Sequence, residues 1–152
     1  MKKAITLFLV AGILFAFSLC GAGLAEDGTE GRQVATAWLD QAGNEIAIAV
    51  DLTGGWSVEF AHGAIYLYEG EYSEDSEATA IGLTLDQEVF EEYCAEAAAS
   101  DSYREIDGAQ YYTQEDGVGA YLTRVGDDAY FMLCVNEGVE GDAVFDRIKL
   151  ER

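Results

Sequence analysis

Apolar and polar positions follow two different periods along this chain, and its first stretch follows neither. Lys2 and Lys3 precede an apolar run from Ala4 to Leu19, and small residues continue to Ala25. A charged start, an apolar centre and a small-residue end are the parts of a secretory signal. Residues 1–25 are therefore expected to direct export, and residues 26–33 to form a polar, glycine-containing tether. A single acidic α/β domain is expected over 34–152.

Within that domain the first period is two. Ile46, Ile48, Val50 and Leu52 alternate with Glu45, Ala47, Ala49 and Asp51, which predicts a strand with one buried and one wetter face. The apolar run Val34 to Leu39 precedes it across the turn Gln41 to Asn44, so the two should pair as a hairpin. After Gly54-Gly55, Trp56, Val58 and Phe60 alternate with Ser57 and Glu59. Ala61-His62-Gly63 turns this strand back into another over Ala64 to Tyr68. Glu69 to Glu77 reads as an acidic solvent loop, and Ala78 to Leu83 as a short strand of small and apolar residues.

The period then changes to 3.6. Val89, Phe90, Tyr93, Cys94 and Ala97 share one side of a helix, and Glu88, Glu91 and Glu92 the other. Thr84 with Gln87 three residues on resembles a capping box, and Asp86 and Glu88 suit a helix N-terminus. Ser100 to Asp107 leaves the helix. Strands follow over Ala109 to Gln114 and Val118 to Val125, with Gly126-Asp127-Asp128 as a hairpin loop. Ala129 to Val135 is apolar throughout, as in a strand covered on both faces. Gly141 to Arg147 predicts a short helix with Val144 and Phe145 inward, and Ile148 to Leu150 a last apolar segment. The fold class is thus α+β, a mainly antiparallel sheet with one long amphipathic helix and a short C-terminal helix.

The wording of several segments adds a resemblance. Gly55-Trp56-Ser57-Val58-Glu59-Phe60, Leu85-Asp86-Gln87-Glu88-Val89-Phe90-Glu91-Glu92-Tyr93, Gly108-Ala109 before tyrosine-bearing strands, and Val144-Phe145-Asp146-Arg147-Ile148-Lys149-Leu150 together resemble the PsbP/Mog1-like α/β/α sandwich. The likeness covers roughly residues 34–150 and rests on apolar patterns without a signature residue. It implies a non-enzymatic accessory or binding role and assigns no site residue.

Charge narrows the partners. The part after Ala25 carries 29 acidic against six basic residues, a net of −23. Such a chain repels polyanions, because nucleic acid and anionic headgroups are bound through Lys and Arg that displace counterions. Basic proteins or peptides, glycans and divalent cations remain as partner classes. A membrane is expected to be met only through the N-terminal segment.

That segment has two fates of interest. Cleavage after Ala25, with Gly23 and Ala25 as the small residues, is favoured. Lipidation at Cys20 stands second. Phe17-Ser18-Leu19-Cys20-Gly21 resembles a bacterial lipobox, but Leu19 is bulky where a small residue is usual. Ala4 to Ala25 is also long enough to span a bilayer uncleaved, against which the small-residue end argues. Cys94 and Cys134 remain in the exported part. An even pair in an oxidising compartment suggests a disulfide, and two buried thiols are the other reading.

Chemistry is sparse. His62 is the single histidine, placed beside a glycine as turn residues are, and no nucleophile and acid accompany it at a telling spacing. Acids are so frequent that no pair singles itself out. Asp127, Asp128, Glu137, Glu140 and Asp142 supply oxygen ligands for calcium, without the spacing of an EF-hand loop. No cofactor is implied. Tyr66, Tyr68, Tyr72, Tyr111, Tyr112, Tyr121 and Tyr130 lie in or beside strands. Of these, Tyr66, Tyr68, Tyr121 and Tyr130 are candidates for an aromatic binding face. Packed core rings are the plainer reading, since Tyr favours strands.

The leading expectation is an exported, non-catalytic accessory or binding domain of the bacterial cell envelope. An envelope enzyme working through carboxylates, and a salt-adapted surface protein without a specific ligand, are the alternatives.

Overall fold

A computed structural model describes residues 33–39 by their backbone pairing, together with residue 43 and residues 45–152. The expected signal, Cys20 and nearly all of the tether lie outside the described residues; Gln33 already belongs to the first strand. Among the described residues no helix is long and apolar enough to cross a membrane.

The described residues form ten strands and two helices. β1 (Gln33–Leu39) and β2 (Glu45–Asp51) pair as the expected antiparallel hairpin. Ile46, Ile48 and Val50 are fully buried while Glu45 and Ala47 are exposed, so the period-two pattern reports one core face. β10 (Ile148–Glu151) joins the other side of β2, opposite Ala47 to Val50. The last apolar segment thus completes a three-stranded sheet begun a hundred residues earlier.

A second, seven-stranded antiparallel sheet has the order β3–β4–β5–β9–β8–β7–β6. Its strands are β3 (Trp56–Ala61), β4 (Ala64–Glu69), β5 (Ala80–Leu85), β6 (Arg104–Ile106), β7 (Ala109–Thr113), β8 (Gly119–Val125) and β9 (Ala129–Val135). β9 lies at its centre and is buried at six of seven positions, as its unbroken apolar sequence predicts. Phe131, Leu133 and Val135 face the small sheet. Tyr130, Met132 and Cys134 face the long helix.

Two local features differ from the sequence pattern. β5 continues through Thr84 and Leu85, which stand opposite Phe131 and Tyr130 in the ladder. The long helix, α1 (Gln87–Ala99), is therefore capped by Asp86 rather than Thr84. The Asp86 carboxylate accepts from the Val89 amide at 2.8 Å. The segment Ser100 to Asp107 contains β6, a three-residue edge strand. It turns into β7 at Asp107-Gly108, both with positive φ (46° and 82°), a sequence pair that favours a two-residue hairpin.

Three layers result. The small sheet and the short helix α2 (Gly141–Phe145) cover one face of the large sheet, and α1 covers part of the other. α2 is fixed by Phe145, stacked on Tyr121 at 4.8 Å. Asp142 is fixed by Tyr121 and Arg104. At the opposite corner Arg147 stacks on Trp56 at 4.6 Å and donates to the Asp51 and Thr53 carbonyls.

A candidate binding face on the uncovered half of the large sheet

α1 packs on β7, β8 and β9. Its apolar stripe meets Tyr112, Ala120, Leu122, Tyr130 and Met132. The face of the same sheet continues past the helix over β5, β4 and β3. There the ladder registers place Glu59 beside Tyr66, Tyr66 beside Ile81, and Ile81 beside Cys134. The neighbouring row runs Ala61, Ala64, Leu83, Met132. Cys134 and Met132 lie in the helix-covered cluster, whereas Glu59, Ala61, Ala64, Tyr66 and Ile81 are half-buried. Val89 and Tyr93 of α1 form the wall on one side, and Leu83 lies at their foot.

Tyr68 closes one end of the face. Its ring meets that of Tyr72 at 5.0 Å, and its hydroxyl donates to Glu59 Oε2 at 3.2 Å. Burial, and secondarily that bond to a carboxylate, raises the Tyr68 phenol above its ordinary value. Tyr72 is 47 % exposed on the acidic loop that follows β4. Ser73 and Ser76 brace this loop through their hydroxyls. On the far side β3 is the last strand of the sheet among the described residues.

The chain segment that builds this half carries one sign of charge. Between Gln33 and Tyr103 the chain carries fifteen acidic residues and no Lys or Arg, and this stretch supplies β2 to β5 and α1. Guanidinium groups approach at its borders, Arg147 over Trp56 and Arg124 over Tyr130. Overall acidity does not separate the two halves; the base-free stretch between Arg32 and Arg104 is the signal for it.

The four tyrosines named as a face divide. Tyr66 and Tyr68 border the uncovered half. Tyr130 lies beneath α1 against Phe90 at 4.7 Å. Tyr121 points to the opposite side of the sheet, fully buried between Tyr111 and Phe145. Tyr121 and Tyr130 are core rings, because their strands are the ones covered on both faces. Tyr112 is likewise buried, and burial pushes its phenol up to about 12.

The acids considered for calcium are dispersed. Asp128 pairs with Arg152. Asp142 takes two bonds from Arg104, at 2.8 and 2.5 Å, and one from Tyr121 at 2.6 Å. These donors hold its carboxyl below the usual carboxylate range. Asp127 is exposed on the β8–β9 turn, and Glu137 and Glu140 are exposed on the loop between β9 and α2. Among the described residues no three acids, His or Cys gather as a metal would require. His62 is exposed at the tip of the β3–β4 hairpin.

Cys94 and Cys134 are free thiols. Both border the helix–sheet core, yet they have different neighbours. Cys134 is near Tyr93, while Cys94 is near Arg124 and Tyr103. Cys94 lies on α1 itself and Cys134 on β9, and the bridge suggested by an exported pair is not made. Burial raises both thiols, Cys134 to about 11, which makes them poor nucleophiles.

Two shallow hollows lie elsewhere. One of about 100 Å³ is lined by Tyr111, Glu137 and Val139, and one of about 230 Å³ by Asp107, Thr123, Phe145 and Leu150. Comparison with protein-family models, with curated proteins and with solved structures finds no match for this chain.

Proposed function

We propose that this chain is an exported, non-catalytic binding domain of the cell envelope whose partner is a cationic polypeptide. The observation that carries the reading is the uncovered half-face of the large sheet. Half-buried Tyr66, Ile81 and Ala64 lie there beside Glu59, on strands β3 to β5 that themselves carry no Lys or Arg. Apolar and aromatic surface left open beside a single sign of charge favours a partner of opposite charge with apolar side chains of its own. The accessory role implied by the PsbP/Mog1-like resemblance agrees with it.

Calorimetric titration of the domain with an octapeptide of alternating Lys and Val tests this. Saturable binding is expected, with none for the matching Glu-Val peptide. Glu59→Gln and Tyr66→Thr are each expected to weaken binding by about three-fold or more, the worth of one cross-strand pair. Tyr103→Ala, exposed beyond the far end of α1, should leave it unchanged. Equal heats from the two peptides, or full affinity in both face variants, would refute the reading.

A further inference from the structure

The free edge of β3 carries a consequence for how such a partner docks. β3 and β4 are joined by His62 and Gly63, with φ of 53° and 72°. Two positive values across a two-residue loop define a type I′ hairpin turn. In such a hairpin the closing pair, Ala61 and Ala64, exchanges both ladder hydrogen bonds, and bonded pairs then recur at every second residue. Glu59 with Tyr66 and Ser57 with Tyr68 are the next two. The backbone groups of Trp56, Val58 and Phe60 therefore point away from β4. The other side of the hairpin agrees, since the carbonyl of Leu67, opposite Val58, accepts from the Thr79 amide rather than from β3.

Among the described residues no strand pairs with this outer side. Of the usual protections it carries one charge, Glu59, and β3 contains no proline, no lysine and no bulge. Phe60, 38 % exposed, stands at the end of this edge.

We propose that an extended, basic segment of a partner protein adds to β3 as an eighth strand of the large sheet. This rests on the binding reading above and specifies its geometry. Main-chain bonds to Val58 and Phe60 supply the docking, and alternate side chains supply the choice of partner. On the uncovered face, cationic side chains of the added strand flank Glu59. On the other face, its apolar side chains flank Val58 and Phe60. A second copy of this chain is disfavoured as occupant by its net charge.

The test uses the exported domain with the Lys-Val octapeptide, and the same peptide N-methylated at every second residue in either of the two frames. Hydrogen exchange is expected to slow at the amides of Val58 and Phe60 on binding and to stay as it was at Ser57, Glu59 and Ala61. One N-methylated frame, the one that blocks bonds toward β3, is expected to bind about ten-fold or more weakly. The other frame should bind like the parent. Binding with no new protection at Val58 and Phe60, and with both frames equal, overturns strand addition and leaves the binding reading standing. No binding by the parent peptide overturns both. Strong protection of those two amides before any peptide is added also overturns it, the edge then being filled by this chain's own N-terminal part or by a second copy.

Discussion

At the scale of single residues, two positions show how closely the layers fit. Gly82 in β5 faces the small sheet, and a methyl group added there would come within 2.6 Å of the Phe131 ring. Phe131 is fully buried on the central strand. Gly82→Ala is expected to cost about 1–3 kcal/mol, as overpacking does, read as a lower urea midpoint at unchanged slope. Asp142 is the second position. Its carboxylate accepts the hydroxyl of buried Tyr121 and the fork of Arg104, so its folded pKa is depressed. A depressed carboxyl stabilises the fold fully above its unfolded pKa of about 4 and loses that contribution as the pH falls through the folded value. Asp142→Asn is expected to cost about 1 kcal/mol at pH 7, since the Arg104 pair is solvent-exposed. The gap to the parent should close as the pH falls below the unfolded value of about 4. A gap that widens on acidification contradicts this role.

At the scale of elements, the strands read best from sequence where one face is buried and the other wet. β2 is the clearest case, with Ile46, Ile48 and Val50 inward as their spacing required. β9 was legible as doubly covered, because every position is apolar. β6 was not, since Arg104-Glu105-Ile106 has no alternation to see; only the Asp107-Gly108 turn after it marks the hairpin. The helix start was legible to within two residues. Thr84 and Asp86 are both good caps, and the ladder partner Phe131 holds Thr84 in β5, which leaves the cap to Asp86. Asp86→Ala is accordingly expected to destabilise the domain by about 1 kcal/mol, whereas replacing Gln87, the other half of the sequence-level capping box, should have a far smaller effect in the same denaturation measurement. The cysteines belong to this scale as well. Because Cys94 and Cys134 are both free, two thiols are expected to titrate after denaturation without reductant. A mass gain of two hydrogens on reduction contradicts that arrangement.

At the scale of the whole molecule, what the chain could not reveal by local pattern is its long-range pairing. β10 joins β2 across nearly a hundred residues, and nothing in Ile148 to Glu151 says which strand it will meet. The division of the tyrosines followed from the same limit. Strand residues carry rings on both faces, and only the layer order decides that Tyr121 and Tyr130 are covered while Tyr66 is not. Charge is the other global property. With a net of −23 after Ala25, folding gathers like charges, and salt should relieve their repulsion. Raising sodium chloride from about 0.05 to 0.5 M is expected to raise the melting temperature by about 2–5 °C, and a fall would contradict the account.

The central claim is that the half of the large sheet left open by α1 is the working surface. Amide chemical shifts of the isotopically labelled domain, followed during titration with the Lys-Val octapeptide, address it most directly. Shifts are predicted to concentrate in β3, β4 and β5, with Glu59, Tyr66 and Ile81 among the largest, while β6, β7 and α2 stay still. Shifts centred on β6 to β8 or on α2, or an unperturbed spectrum at saturating peptide, contradict the claim.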